Sequence, residues 1–326
     1  MTARVLVVDD IEANLKLLQA RLMAEYFEVL TATNGYEALD ICRKGLCDVV
    51  LLDVVMPGMD GYEVCRQLKA DPATVHIPVI MVSSLDQTAD KVAGLEAGAD
   101  DFLNKSVNDL SLTTRVRSLA RLKMVTDELR MRVSSGSELG LEQIGNMEHI
   151  DPLEGRQGEI LIVDDRESSY ARMDQILSNE HEVVVVANPD DALYRAADND
   201  FDLVIVSLDL EGIDPLRLCS QMRSLDRTRA TPILMVASEG NETRLITAIG
   251  IGVNDYISRP VDKNELLARV RTQVRRKRLN DKLRDSVQST MEMAVRDGLT
   301  GLNNRRYFDN HMQSMFDRAQ ISGKPL

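Results

Sequence analysis

Three carboxylates, a hydroxyl and an amine lie at the ends of apolar runs in the first third of the chain. They belong to Asp9, Asp10, Asp53, Ser83 and Lys105. Unit charges about 4 Å apart repel by about 4 kcal/mol at an effective dielectric of about 20, so clustered carboxylates need a cation. Oxygen ligands completed by water suit Mg²⁺. We therefore predict that the three aspartates bind Mg²⁺ together.

The same residues could accept a phosphoryl group. Asp53 is the candidate nucleophile, since carboxylates form aspartyl phosphates. Lys105 could pair with the phosphoryl oxygens as a mobile point charge, and Ser83 could donate a hydrogen bond. The loop after Asp53 could bring the backbone carbonyl of Val55 toward the metal. For one aspartate, a helix cap would be the simpler interpretation, but five such residues at successive strand ends favour a site.

The elements that must position these residues alternate between strands and helices. In the first half, apolar runs predict strands near residues 4–8, 28–32, 48–52, 78–82 and 100–103. Helices are predicted to begin near Glu12, Gly35, Gly61 and Gln87. Five βα units predict an α/β domain with a doubly wound parallel sheet of strand order 2-1-3-4-5. Strands one and three are neighbours in that order, which brings the carboxylates to one edge.

The second half repeats the first. Three segments match three others at a shift of 154 residues: 47–53 with 201–207, 77–83 with 231–237, and 98–102 with 252–256. Strands are predicted near residues 159–163, 182–186, 202–206, 232–236 and 254–257. The repeat indicates a second domain of the same fold.

The second copy lacks the acceptor carboxylate. At the same shift, Ser207 stands at the position of Asp53, Ala237 at that of Ser83 and Arg259 at that of Lys105, while Asp164 and Asp165 are retained. Because serine does not offer a carboxylate nucleophile, we predict that this domain is not phosphorylated and acts as an adaptor. Residual metal binding by the retained acidic pair stays open.

Composition excludes several classes of protein. The formal charge of −13 argues against broad nucleic-acid binding, which needs a basic surface. The local run 275–278 is either a solvated helix face or an interaction patch. The four cysteines form no CxxC pair and are expected to be reduced thiols. No signal peptide and no apolar stretch of about 20 residues is seen, so we expect a cytoplasmic protein without membrane contact.

The remaining segments link and extend the two domains. We predict a first domain over residues 1–132, a linker over 133–158 and the second domain over 159–262. A helical pattern over 263–296 has apolar residues at spacings of mostly four, which indicates a stalk that could dimerise. Residues 297–326 are too few to bury a core alone.

The first domain resembles the receiver domain of two-component response regulators, which has a flavodoxin-like fold. The resemblance rests on the acidic pair, the aspartate at position 53, the following Met-Pro-Gly-Met-Asp-Gly loop, the hydroxyl and the lysine, in that order. It implies that Asp53 is phosphorylated by a histidine kinase or phosphotransfer protein, that Asp9 and Asp10 bind Mg²⁺, and that Ser83 and Lys105 sense the phosphoryl group. Phe102 stands where the family has a switching aromatic residue, or simply packs beside the fifth strand.

The segment 297–308 contains the pattern Asp-x-Leu-Thr-x-Leu-x-Asn-Arg, which resembles the start of GGDEF domains, the diguanylate cyclases. Receiver, degenerate receiver, stalk and GGDEF start in this order resemble response regulators of the PleD type. The resemblance implies that phosphorylation favours a homodimer in which two cyclase domains make cyclic di-GMP from GTP. The Gly-Gly-Asp/Glu-Glu-Phe sequence is absent from the 326 residues. We therefore expect either a chain cut inside that domain or a regulatory stub, and whether this chain is an enzyme stays open.

Two other functions remain as alternatives. One is an interaction scaffold that dimerises without phosphorylation and has no enzymatic output. The other is a nucleotide-binding enzyme of similar fold. The second is disfavoured because no Gly-x-Gly-x-x-Gly follows the first strand of either repeat, and the acidic residues found there would repel phosphates.

Overall fold

The computed structural model describes residues 3–84, 88–105, 109–137, 157–238 and 240–295, together with residue 312. Most of the predicted linker and nearly all of the predicted GGDEF start lie outside these residues. The two sheets belong to one compact unit, whereas the helical residues after Val125 and after Arg278 belong to another. No helix in the described ranges is both long and apolar enough to cross a membrane.

The first sheet has five parallel strands in the predicted order, β2-β1-β3-β4-β5. Their bounds are Arg4–Val8 (β1), Glu28–Ala32 (β2), Val49–Asp53 (β3), Val79–Ser83 (β4) and Asp101–Asn104 (β5). The central strands β3 and β4 are apolar up to their last residue because helices cover both faces of the sheet. All five residues of β3 and of β4 are buried.

Helices α1 Glu12–Ala24, α2 Gly35–Arg43, α3 Gly61–Ala70, α4 Thr88–Glu96 and α5 Asp109–Ser137 connect and follow these strands. They form one apolar core on each face of the sheet. Helix α5 continues five residues past position 132, through the Ser-Ser-Gly-Ser segment where the sequence predicted the start of the linker. Extending an existing helix adds a hydrogen bond per residue, which offsets the cost of about 1 kcal/mol for one glycine.

The second sheet repeats this topology in the order β10-β9-β8-β6-β7. Its strands are Glu159–Val163 (β6), Glu182–Val186 (β7), Leu203–Ser207 (β8), Ile233–Ala237 (β9) and Asp255–Ser258 (β10). Its helices are α6 Glu167–Leu177, α7 Pro189–Asp198, α8 Pro215–Ser224, α9 Glu242–Ile251 and α10 Lys263–Val295. The predicted fold class, two α/β domains with 2-1-3-4-5 sheets, is therefore confirmed.

The helix predicted as a stalk is in its first turns the covering helix of the second sheet. Leu266, Val270 and Val274 are fully buried in the core that this sheet shares with α6. These positions belong to the apolar pattern that the sequence analysis assigned to a helical stalk. The apolar residues of a helix have nearly the same spacing whether the helix packs on a sheet or on a partner helix. Periodicity alone therefore could not distinguish a covering helix from a stalk.

Candidate functional site

The acidic site lies at the carboxyl edge of the first sheet. Strand β1 pairs with β3 so that Val8 stands opposite Leu52, which makes the residues that follow neighbours. One carboxylate oxygen from each of Asp9, Asp10 and Asp53 lies within 4.8 Å of the others. Asp9 and Asp53 are buried and Asp10 is exposed. The predicted convergence of the three aspartates therefore occurs in the fold.

Lys105 joins this group from the end of β5. Its Nζ donates to Asp9 Oδ2 at 2.8 Å and to Asp53 Oδ2 at 2.9 Å. The backbone N–H of Lys105 donates to the carbonyl of Ser83 at 2.8 Å, which anchors the lysine to the end of β4. One ammonium group thus bridges two buried carboxylates.

The cost of burying the Asp53 carboxylate is only partly offset by its neighbours. Burial raises the pKa of Asp53 above its ordinary value, and the hydrogen bond and charge of Lys105 offset only part of this. Burial lowers the pKa of Lys105, but its bonds to Asp9 and Asp53 outweigh that effect and leave the pKa raised. The lysine is therefore charged at neutral pH, and a further cation would stabilise the ionised aspartate.

Asn14 also holds the site, and the sequence analysis missed it. Its Nδ2 donates to both oxygens of Asp9 at 3.0 Å, and the backbone N–H of Ile11 donates to Asp9 Oδ1 at 2.9 Å. These bonds fix the Asp9 carboxylate from the first turn of α1. The sequence offered one signal for Asn14, a polar residue five positions after an aspartate at a strand end. Many helix starts have this pattern, so it did not single out Asn14.

The loop after Asp53 is shaped by two glycines. The N–H of Val54 donates to Asp53 Oδ1 at 2.8 Å, and Gly61 closes the loop with a bond of 2.9 Å from its N–H to the Val54 carbonyl. A Cβ at Gly61 would lie 2.2 Å from the Asp53 carbonyl oxygen, and Gly58 has a φ of +81°. Val55 is exposed in this loop, two residues after Asp53.

The remaining predicted residues lie near this edge. Ser83 is buried at the end of β4, in register with Asn104. Phe102 is buried in the core beside α4, where a Cβ added at Gly94 would lie 3.0 Å from its ring. This position agrees with the packing interpretation of Phe102. Ser106, which follows the lysine, lies outside the described residues.

The donor set of the first domain fits Mg²⁺. Three carboxylate oxygens at mutual distances within 4.8 Å are hard ligands of the kind Mg²⁺ prefers, and the exposed side at Asp10 leaves room for water. Among the residues that the structure describes, this is the one group of three metal-type side chains so close together. The acidic pair of the second domain is not part of such a group.

The structure also shows a buried charge cluster that the sequence analysis missed. Asp101 pairs with Arg115 in the first domain, and Asp255 pairs with Arg269 at 2.6 Å in the second. Cross contacts of 3.5 Å (Arg115 to Asp255) and 3.7 Å (Arg269 to Asp101) join the domains. The guanidinium of Arg115 lies 4.4 Å from the ring centroid of Tyr256. The sequence did contain a signal for this cluster, because the 154-residue shift relates the pair Asp101 and Arg115 to the pair Asp255 and Arg269.

The basic run on α10 is tied to the folded domains. Arg276 pairs with Asp100 of the first domain, and Arg278 pairs with Asp202 of the second at 3.0 Å. Arg278 also donates to the carbonyl of Gln157 at 2.9 Å. Arg276 and Arg278 thus serve internal contacts, which neither sequence interpretation of the run had predicted.

Comparison with known proteins identifies what this site resembles. The family profile described as response regulator receiver domain matches residues 5–117 and again residues 160–271. The response regulator PleD of Caulobacter vibrioides (strain NA1000 / CB15N) is 48% identical over 326 residues, which cover 100% of this chain and 71% of that protein.

Other similar proteins match this chain over about the length of a single domain. The alkaline phosphatase synthesis transcriptional regulatory protein PhoP of Bacillus subtilis (strain 168) is 39% identical over 121 residues, which are 37% of this chain and 50% of that protein. The crystal structure of the BeF3-activated N-terminal receiver domain of Klebsiella pneumoniae RstA is 28% identical, covers 36% of this chain and 98% of that one, and has a TM-score of 0.33.

Proposed function

The chain belongs to the response regulator family, with two receiver domains, and on that premise we propose that Asp53 is its single phosphate acceptor. The observation that carries the proposal is the convergence of Asp9, Asp10, Asp53 and Lys105 at one sheet edge. The donor of the phosphoryl group is a histidine kinase or a phosphotransfer protein. Ser83 and Lys105 respond to the new phosphate.

The proposed reaction is a direct transfer between two side chains. A carboxylate oxygen of Asp53 forms a bond to phosphorus while the P–N bond of the donor phosphohistidine breaks and the imidazole leaves. Bound Mg²⁺, held by Asp9, Asp10, Asp53 and the carbonyl of Val55, would neutralise charge on the phosphoryl oxygens.

Three residues of the chain contact the phosphoryl group or hold the aspartates during the transfer. Lys105 is already charged and lies 2.9 Å from Asp53, so its Nζ can exchange a carboxylate oxygen for a phosphoryl oxygen. The four-carbon stem of lysine permits that movement. The bonds from Asn14 and Ile11 hold Asp9 in place meanwhile.

We further propose that phosphorylation controls the association of two chains. In this account residues 1–132 are the phosphorylated receiver domain, 133–158 the linker and 159–262 the adaptor. The helix over 263–296 covers the adaptor's sheet in its first turns and continues as a stalk. Residues 297–326 begin a GGDEF domain, whose output is cyclic di-GMP made from two GTP molecules. The 48% identity with PleD over the whole length of this chain supports this organisation.

The test measures the oligomeric state of the chain after treatment with a phosphodonor. The wild-type chain and Asp53→Asn are treated with acetyl phosphate and Mg²⁺, and their masses in solution are measured by light scattering. We expect a rise in the dimer fraction for the wild type alone. Equal dimer fractions in both proteins, with or without the donor, would instead indicate a scaffold that dimerises without phosphorylation.

A further inference from the structure

The second sheet carries a closed counterpart of the acidic site. Asp164 follows β6 as Asp9 follows β1, and its side chain is fully buried. Arg259 follows β10 as Lys105 follows β5. Its Nη2 lies 3.0 Å from Asp164 Oδ2 and donates to the hydroxyl of Ser207 at 3.1 Å. The guanidinium therefore spans from the retained acid to the position of the missing acceptor.

Further contacts surround the same guanidinium. Arg259 Nη1 donates to the hydroxyl of Ser169, which in turn donates to Asp164 Oδ2 at 2.6 Å. Arg259 Nε lies 3.7 Å from Asp209 Oδ2. Asp209 is held in place by the hydroxyl of Ser238, which donates to its Oδ2 at 2.6 Å. One planar cation thus contacts two carboxylates and two hydroxyls.

The second member of the acidic pair is also engaged. Asp165 Oδ2 accepts a hydrogen bond of 2.7 Å from the backbone N–H of Glu211, in the loop that follows β8. The corresponding first-domain residue, Asp10, is exposed beside its two partners. In the second domain Asp164, Asp165 and Asp209 thus each accept a hydrogen bond from the protein itself. The second oxygen of Asp165, Oδ1, is buried and has no hydrogen-bond partner.

We propose that Arg259 is an internal counter-ion that replaces the divalent cation in the second domain and keeps that pocket from binding metal. The guanidinium has several donors fixed in one plane, so it satisfies several oxygens at once. A flexible ammonium such as that of Lys105 offers one point charge and can move aside. Only the first domain of the chain would then respond to Mg²⁺.

Counting bound ions tests the proposal. Mn²⁺, used as a probe for Mg²⁺, is titrated into the full chain and the free ion is followed by electron paramagnetic resonance. Removing the guanidinium in Arg259→Ala should add one bound ion per chain to the number found for the wild type. That gain should vanish when Asp164→Asn is combined with Arg259→Ala.

A second variant tests the same proposal in case Arg259→Ala does not fold. Ser207→Asp combined with Arg259→Lys restores the aspartate and the lysine of the first site and should also add one ion. Ser207→Asp alone keeps the guanidinium and should add none. The proposal is overturned if a folded Arg259→Ala chain binds no additional ion, or if the wild type already binds an ion that Asp164→Asn removes. The experiment measures an additional ion in the variant relative to the wild type. The test therefore remains valid even if the first domain binds no ion.

Discussion

Arg115 of the first domain and Asp255 of the second lie 3.5 Å apart, although each has another partner in its own domain. Both side chains are buried, and the 154-residue shift relates Asp101 to Asp255 and Arg115 to Arg269. Two equivalent ion pairs therefore meet between two domains of one fold. The four charges form a single network, which makes each of them costly to remove.

Arg115→Met should be strongly destabilising. It leaves Asp101 buried without its main partner, and breaking a buried pair costs about 3–5 kcal/mol in unfolding free energy. The matched control is Arg117→Met, two positions along the same helix, whose pair with Glu25 is exposed. Exposed pairs contribute about 1 kcal/mol or less. Urea denaturation of both variants measures the difference, and equal effects would show that the network is not stabilising.

Mg²⁺ should stabilise the wild-type chain through the three aspartates. A ligand at ten times its dissociation constant adds about 1.4 kcal/mol to the unfolding free energy. Thermal unfolding with and without chelator should show this gain in the wild type and lose it in Asp10→Asn. Asp40→Asn, which removes an exposed acid paired with Lys44, should keep the gain. A gain retained in Asp10→Asn would speak against this residue as a ligand.

Asp53→Asn should stabilise the metal-free protein at neutral pH. Burial raises the pKa of Asp53, so the folded state binds more protons than the unfolded state above the ordinary pKa of aspartate, and the ionised carboxylate costs stability there. Removing the charge should add on the order of 1 kcal/mol to the unfolding free energy. The gain should shrink as the pH falls and the wild-type carboxyl becomes protonated. Denaturation in chelator at several pH values measures it.

His181 should contribute a loss of stability at mildly acidic pH. Burial lowers its pKa in the folded chain, and its Nδ1 accepts a bond of 3.1 Å from the N–H of Gly158. The unfolded state therefore binds a proton first, and stability falls as the pH drops below about 6.5. His181→Asn keeps an acceptor and removes the titration, so its unfolding free energy should depend less on pH in this window. Parallel pH profiles would contradict this role.

The fold could be predicted from the sequence because buried parallel strands are apolar along their length and end abruptly at polar residues. The run 5–8 followed by two aspartates placed both the first strand and the site. Strand ends shifted by one residue in several cases, since pairing in the sheet, not composition, sets where a strand stops.

The contacts of single side chains were less predictable. Arg115 and Arg259 each act through partners distant in sequence, so their spacing carries no periodic signal. Asn14 binds Asp9 only five positions away, but many helix starts have a polar residue at that spacing. The start of the long helix α10 was assigned to a stalk because sheet-facing and helix-facing stripes look alike in sequence. The repeat could have been used to predict the interdomain network, since each of its charged residues has a counterpart of the same type in the other domain.

The central claim is that Asp53 is the one phosphate acceptor of the chain, and mapping the phosphorylated residue tests it most directly. The chain is treated with acetyl phosphate and Mg²⁺, the acyl phosphate is trapped by borohydride reduction, and the modified peptide is sequenced by mass spectrometry. The account predicts one modification, at Asp53, that is absent without Mg²⁺ and absent in Asp53→Asn. A modified residue at the second acidic pair, or phosphate retained by Asp53→Asn, would contradict it.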